Sequence, residues 1–144
     1  METAAAAQRF VRVWESGWAA HDVEAILALY TEDCVHRSMP FRPPHIGRAA
    51  LATYLRWSFA DELPLSVRFS DPLVGEGGLA VAEFHVTAEE SGAAGPRSST
   101  LAGCVFVRFT PEGLAAETRD YWHTAPGREP ASAHPFLLGS PPRP

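Results

Sequence analysis

The chain has 144 residues, 46% of them hydrophobic and 20% charged, a balance that suits a single globular domain and excludes a disordered chain. Its 12 basic residues are all arginine, against 17 acidic ones, and the net charge of -5 without a basic run argues against nucleic-acid and anionic-membrane partners and removes lysine chemistry. No leader pattern or spanning apolar stretch occurs, and Cys34 and Cys104 have neither disulfide-framework nor zinc spacing, so a cytoplasmic protein without metal or cofactor is expected.

A first helix is expected from Thr3, its N-cap, to about Trp18, because Ala6, Phe10, Val13 and Gly17 recur at helical spacing beside Trp14 and Trp18. Asp22 reads as the N-cap of a second helix, with Glu24 at the positive end of its dipole and Ile26, Leu27, Leu29 and Tyr30 on its stripe, ending near Thr31. Residues 34–39 read as a short strand, and the proline-rich stretch 40–44 as a loop. A third helix is expected after Gly47, with Leu51, Tyr54, Leu55 and Phe59 on one stripe and Pro64 beyond its end. Four strands follow, at about 65–74, 79–89, 98–109 and 114–123. The turn residues between them predict antiparallel hairpins. The last 19 residues hold six prolines, so the chain divides into a domain at 1–125 and a proline-rich tail at 126–144, whose segment 134–138 has the apolar residues to dock on the body.

Alternation along the strands puts Cys34, His36 and Ser38 on one face of the first strand. Thr118, Asp120 and Trp122 share a face of the last. A histidine and a carboxylate meeting inside a curved sheet form an acid/base pair, since burial raises the carboxyl pKa. The competing readings are a buried histidine bonded to backbone for His36 and a surface ion pair with an arginine for Asp120. The six histidines show no i,i+4 or His-x-His spacing, the glycines at 75–78 precede no helix, and there is no nucleophile elbow. The four tryptophans suit either a core or an aromatic cavity, and Glu83 with His85 marks a solvated or subunit-facing strand surface.

Three motifs carry a family resemblance: Ala28-Leu29-Tyr30-Thr31-Glu32-Asp33, Met39-Pro40 with Gly47-Arg48, and Arg119-Asp120-Tyr121-Trp122. With the order of elements, they make residues 6–123 resemble the SnoaL-like branch of the nuclear-transport-factor-2-like superfamily. The resemblance implies an α+β conical barrel, in which a strongly bent, mostly antiparallel sheet wraps over three N-terminal helices and leaves a pocket. It also implies a homodimer through the outer sheet face. The family includes polyketide cyclases, ketosteroid isomerases and limonene epoxide hydrolases. Ser38, Trp14 and Val105 stand where the isomerases carry their base, oxyanion-hole tyrosine and protonated aspartate, so that mechanism is not expected here.

Asp120, His36 and Ser38 match the water-holding positions of the epoxide hydrolases, while Phe84 and Val86 replace their arginine and second aspartate. The implied site is therefore a polar cluster of Asp120, His36 and Ser38 in a pocket walled by Trp14, Phe84, Val86, Val105 and Trp122, taking a small apolar ligand. Acid/base isomerisation, cyclisation or hydrolysis through Asp120 and His36 is one expectation; a non-catalytic binding or dimerisation module is the other.

Overall fold

The structure, a computed structural model, describes residues 1–131; the tail residues beyond, including the expected docking segment 134–138, lie outside the described residues. Three helices, α1 (Thr3–Ala20), α2 (Val23–Leu27) and α3 (Arg48–Phe59), accompany seven strands. The strands are β1 (Tyr30–Arg37), β2 (His45–Ile46), β3 (Glu62–Phe69), β4 (Leu73–Val74), β5 (Leu79–Glu90), β6 (Arg97–Phe109) and β7 (Ala115–Pro126). They form one mixed, bent sheet in the order β2-β1-β7-β6-β5-β3, with β4 also on β5. Among the described residues β2 and β3 are not paired with each other, so the expected barrel is an open, bent sheet.

α1 forms because Ala6, Ala7, Phe10, Val11, Trp14 and Gly17 make a continuous apolar stripe, all buried. Gly17 lets α2 approach, since a Cβ there would stand 2.8 Å from Ile26 Cγ1. The Asp22 carboxylate accepts the Ala25 amide at 3.1 Å and caps α2 as the sequence indicated. Thr3 is not a cap; the N-cap of α1 is Glu2, whose side chain makes no capping bond.

Three boundaries depart from expectation. α2 stops at Leu27 and not near Thr31, because Leu29 and Tyr30 are claimed by the sheet: the Ala115 amide donates to the Leu29 carbonyl at 2.8 Å, and Tyr30 pairs with Ala115. β1 thus starts at Tyr30 and runs parallel to β7, a long-range pairing that no local pattern announces. Pro64 does not end an element but sits inside β3, opposite Ala88, just before a register shift. It is tolerated because β3 is an edge strand, where a missing N–H is not needed for the ladder. The chain from 70 to 78 then forms the separate short β4 and not an extension of β3.

The expected hairpins do pair antiparallel, β5 with β6 and β6 with β7 over almost their full lengths. Gly103 of β6 faces Trp122 of β7, and a Cβ there would collide with the Tyr121 carbonyl and lie 2.7 Å from Trp122 Cβ. The strands approach this closely only because that side chain is missing. The core lies between the concave sheet face and the helices, with Phe10 packed edge-on against Tyr30 and Phe109 at 5.9 and 5.8 Å.

β7 reaches Pro126, and Gly127 and Glu129 then return over the convex face. The Thr100 hydroxyl donates to the Gly127 carbonyl, the Glu129 amide donates to Thr100 Oγ1, and the Glu129 carbonyl meets His85 Nε2 at 2.9 Å. His85 is therefore covered by its own chain. The same face leaves Phe106 and Tyr121 about half exposed, in edge-to-face contact at 5.9 Å. Among the described residues no helix is long and apolar enough to cross a membrane.

Candidate functional site

β1 and β7 lie side by side in parallel, with His36 paired to Thr118 in register. This puts the inward residues of both strands under α1 and α3. His36 is 1% exposed, and its Nδ1 lies 2.6 Å from Thr118 Oγ1. His36 Nε2 faces Asp120 Oδ2 at 3.5 Å, a contact that lacks the alignment of a hydrogen bond, so this nitrogen has no hydrogen-bond partner. The two residues that the sequence singled out thus point to the same side of the sheet and meet.

Burial sets the protonation of the pair. Desolvation pushes the Asp120 carboxyl up from its ordinary 3.8 to about 8. It pushes His36 down from 6.5 to about 3, with the neighbouring His45 adding to the shift. At neutral pH the pair is therefore a carboxylic acid beside a neutral imidazole. That state differs from the ion pair which a 3.5 Å contact between these residue types would suggest in water.

Asp120 opens on a cavity of about 520 Å³ between the helices and the sheet, within the range of about 300–1,000 Å³ common for small-molecule sites. Trp14, Phe84, Val105 and Trp122, all expected in a pocket wall, line it, as does Ser38. Val86 lies on the same strand face as Phe84 and is buried, but it does not reach the cavity. His36 is not part of the lining either and stands behind Asp120. The Ser38 carbonyl accepts the Trp122 indole N–H at 2.7 Å, which ties the loop after β1 to β7 and fixes the ring in the wall.

Several site residues carry no clear site signal in the sequence. Tyr30 fits a helix stripe in the sequence, yet it is fully buried, and its hydroxyl accepts the Trp14 indole N–H at 3.1 Å. Burial raises its pKa, and Thr118 is its other hydrogen-bond partner. Tyr54 stands out in the sequence only as part of the α3 stripe. Its ring stacks on His45 at 4.3 Å, its hydroxyl hydrogen-bonds with Ser38, and burial together with the Asp120 charge raises its pKa. The polar character of both tyrosines was the signal available, since a buried tyrosine needs a partner for its hydroxyl. Trp18, Phe59 and Phe69 extend the aromatic wall, Arg42 adds a cation, and Asp61, Glu62 and Glu90 are the other carboxylates in the lining. Glu62 accepts the Trp18 indole N–H at 2.8 Å and pairs with His21 at 3.2 Å. Among the described residues no group of three or more histidine, cysteine or acidic side chains could hold a metal ion.

Solved structures with this fold were found. The chain aligns with RV0760c from Mycobacterium tuberculosis at 20% identity and a TM-score of 0.72, over 85% of this chain and 96% of that one. A protein described as a polyketide cyclase from Xanthomonas campestris pv. campestris aligns at 21% identity and 0.69, over 85% and 93%. One described as an isomerase from Bacillus subtilis aligns at 20% and 0.68, over 85% and 90%. A search of curated proteins found no match. At these identities the likeness shows the fold, and it is similarity of sequence pattern that gives the family. Residues 7–118, most of the chain, match the family model of the SnoaL-like domain, and the chain belongs to that family.

Proposed function

We propose that this SnoaL-like chain binds a small, largely apolar molecule in the cavity and moves a proton on it, isomerising or cyclising a carbonyl compound, with Asp120 as the group that gives and takes the proton. The observation that carries this reading is a carboxyl raised to about 8 by burial, set in an aromatic wall beside a neutral imidazole. A carboxylic acid that stays protonated near neutral pH and yet ionises within reach of it suits general acid/base work. His36, neutral and hidden behind Asp120, acts by orienting the carboxyl; a neutral imidazole is too weak an acid to donate to substrate. Ser38 and Tyr54 supply hydroxyls beside the reacting group. The structural neighbours described as a polyketide cyclase and an isomerase bear names that belong to this class of chemistry.

The test is deuterium exchange in buffered D₂O, with a panel of cyclic and aromatic ketones that fit the cavity. The wild-type chain is expected to accelerate exchange next to the carbonyl of at least one, and Asp120→Asn to lower that rate at least about 100-fold, the usual scale of a general acid/base contribution. Exchange that persists in a folded Asp120→Asn protein would remove Asp120 from the chemistry. On the convex face, the exposed Phe106–Tyr121 pair supports a homodimer, and Phe106→Asp is expected to leave a monomer in sedimentation experiments.

A further inference from the structure

From the cavity wall inward four polar side chains form a single file, Trp14 and Tyr30 in the lining and Thr118 and His36 behind it. The Trp14 indole N–H lies 3.1 Å from the Tyr30 hydroxyl oxygen, Tyr30 is hydrogen-bonded to Thr118, Thr118 Oγ1 lies 2.6 Å from His36 Nδ1, and His36 Nε2 faces Asp120. Tyr30, Thr118 and His36 are each at most 1% exposed. The file has a direction, and its first member sets it. Indole nitrogen can only donate, so Tyr30 accepts from Trp14, and Thr118 is the next side chain of the file placed to take the Tyr30 proton. Thr118 Oγ1 then accepts from Tyr30, which leaves its proton for its short contact, His36 Nδ1. An imidazole that accepts at Nδ1 carries its one proton on Nε2. In this order every donor of the file finds its acceptor within the file, whereas the reverse order would turn the Tyr30 hydroxyl proton out toward the cavity that Tyr30 also lines.

We propose that Thr118, ordered by Tyr30 and Trp14, is a positioning residue that holds His36 in the Nε2–H tautomer and so aims a neutral donor at Asp120. The inference rests on the acid/base reading of Asp120 for its consequence, but the tautomer is a property of the resting protein. When Asp120 gives up its proton, the carboxylate finds an N–H within 3.5 Å that can tighten onto it. The opposite tautomer would present a lone pair and oppose ionisation. The other groups that couple to Asp120 are Tyr30 from β1, Tyr54 from α3 and Cys104 from β6, and burial keeps all three uncharged at neutral pH. His36, whose Nε2 stands 3.5 Å from the carboxyl, is the neighbour in direct contact with it, so its proton placement bears on how the carboxylate is met.

Nitrogen-15 spectra of histidine-labelled protein read the tautomer, and carbon-13 spectra of labelled aspartate read the Asp120 titration. The wild-type chain is expected to show His36 with a pyridine-like Nδ1 and a protonated Nε2. Thr118→Val, nearly the same shape, is expected to populate both tautomers and to raise the Asp120 midpoint by at least about half a pH unit, because a hydrogen bond to the charged form is lost. Thr118→Ser is expected to restore both signals. If Thr118→Val fails to fold, Tyr30→Phe frees the Thr118 hydroxyl to turn and is expected to mix the tautomers in the same way. A protonated Nδ1 in the wild type overturns the proposal, as does an Asp120 midpoint unmoved in whichever of these two variants folds. Neither result depends on turnover, so a failure here is separate from a failure of the exchange experiment with Asp120→Asn.

Discussion

Asp120 holds its proton to about pH 8 in the folded chain and only to its ordinary 3.8 when unfolded, so between those values the folded state carries a proton that the unfolded state has released. Stability therefore falls as pH rises through that interval. His36 has the opposite effect, since from about 3 to 6.5 the unfolded chain holds a proton that the folded chain lacks, and stability there rises with pH. Where the intervals overlap the two slopes oppose one another. Above pH 6.5 only the Asp120 limb of this pair is left. Urea unfolding of the wild-type chain is thus expected to show stability declining from pH 6.5 to 8, by no more than about 1.4 kcal/mol per unit, and Asp120→Asn is expected to remove that decline. A wild-type curve with no such loss would mean that Asp120 is far better solvated than its place in the cavity wall indicates. Strand alternation gave His36 and Asp120 each a face but not which face lines a cavity; the family resemblance is what put the two in one polar cluster. Their protonation was not legible, since it depends on burial between two strands 82 residues apart at the His36–Thr118 contact.

Two glycines do different work at the level of elements. Gly103 sits where β6 meets β7, and an added Cβ would run into the backbone of Tyr121 and the base of Trp122, neither of which can turn aside. Gly103→Ala is expected to lower stability by about 2–3 kcal/mol and to shift Trp122 from the cavity wall, which thermal unfolding and near-UV circular dichroism would detect. Gly17 in α1 meets the side chain of Ile26, which has rotamers to use, and alanine regains about 1 kcal/mol of helix propensity. Gly17→Ala is therefore expected to cost clearly less than Gly103→Ala. Equal losses would show that the α1–α2 contact is as rigid as the sheet. The helices and hairpins were readable because each rests on local periodicity and turn residues. β1 was misplaced because Leu29 and Tyr30 satisfy a helical stripe equally well. Only the parallel ladder to β7 decides against the helix, and long-range pairing leaves no local mark in sequence. Pro64 misled for a related reason: its tolerance depends on β3 being an edge, a property of the whole sheet.

At the scale of the molecule, the open sheet and the three helices enclose a cavity whose lining includes all four tryptophans, Trp14, Trp18, Trp57 and Trp122. Trp57 is 74% exposed at its edge, whereas Trp14 is buried and hydrogen-bonded to Tyr30. Intrinsic fluorescence should then separate the surface from the interior. Iodide, which is charged and stays in water, is expected to quench chiefly the Trp57 fraction of the emission and to spare Trp14. An apolar quencher small enough for about 520 Å³, such as a nitrophenyl ketone, is expected to quench the remainder with a saturable curve. Leu101→Phe, which adds volume at the cavity wall, is expected to weaken that saturable binding about tenfold, equivalent to about 1.4 kcal/mol, while leaving iodide quenching unchanged. Asp120→Asn keeps the apolar wall intact, so it is expected to bind the quencher while losing proton exchange. Binding retained together with lost exchange would place Asp120 in the chemical step, whereas loss of both would make its main work the shaping of the cavity.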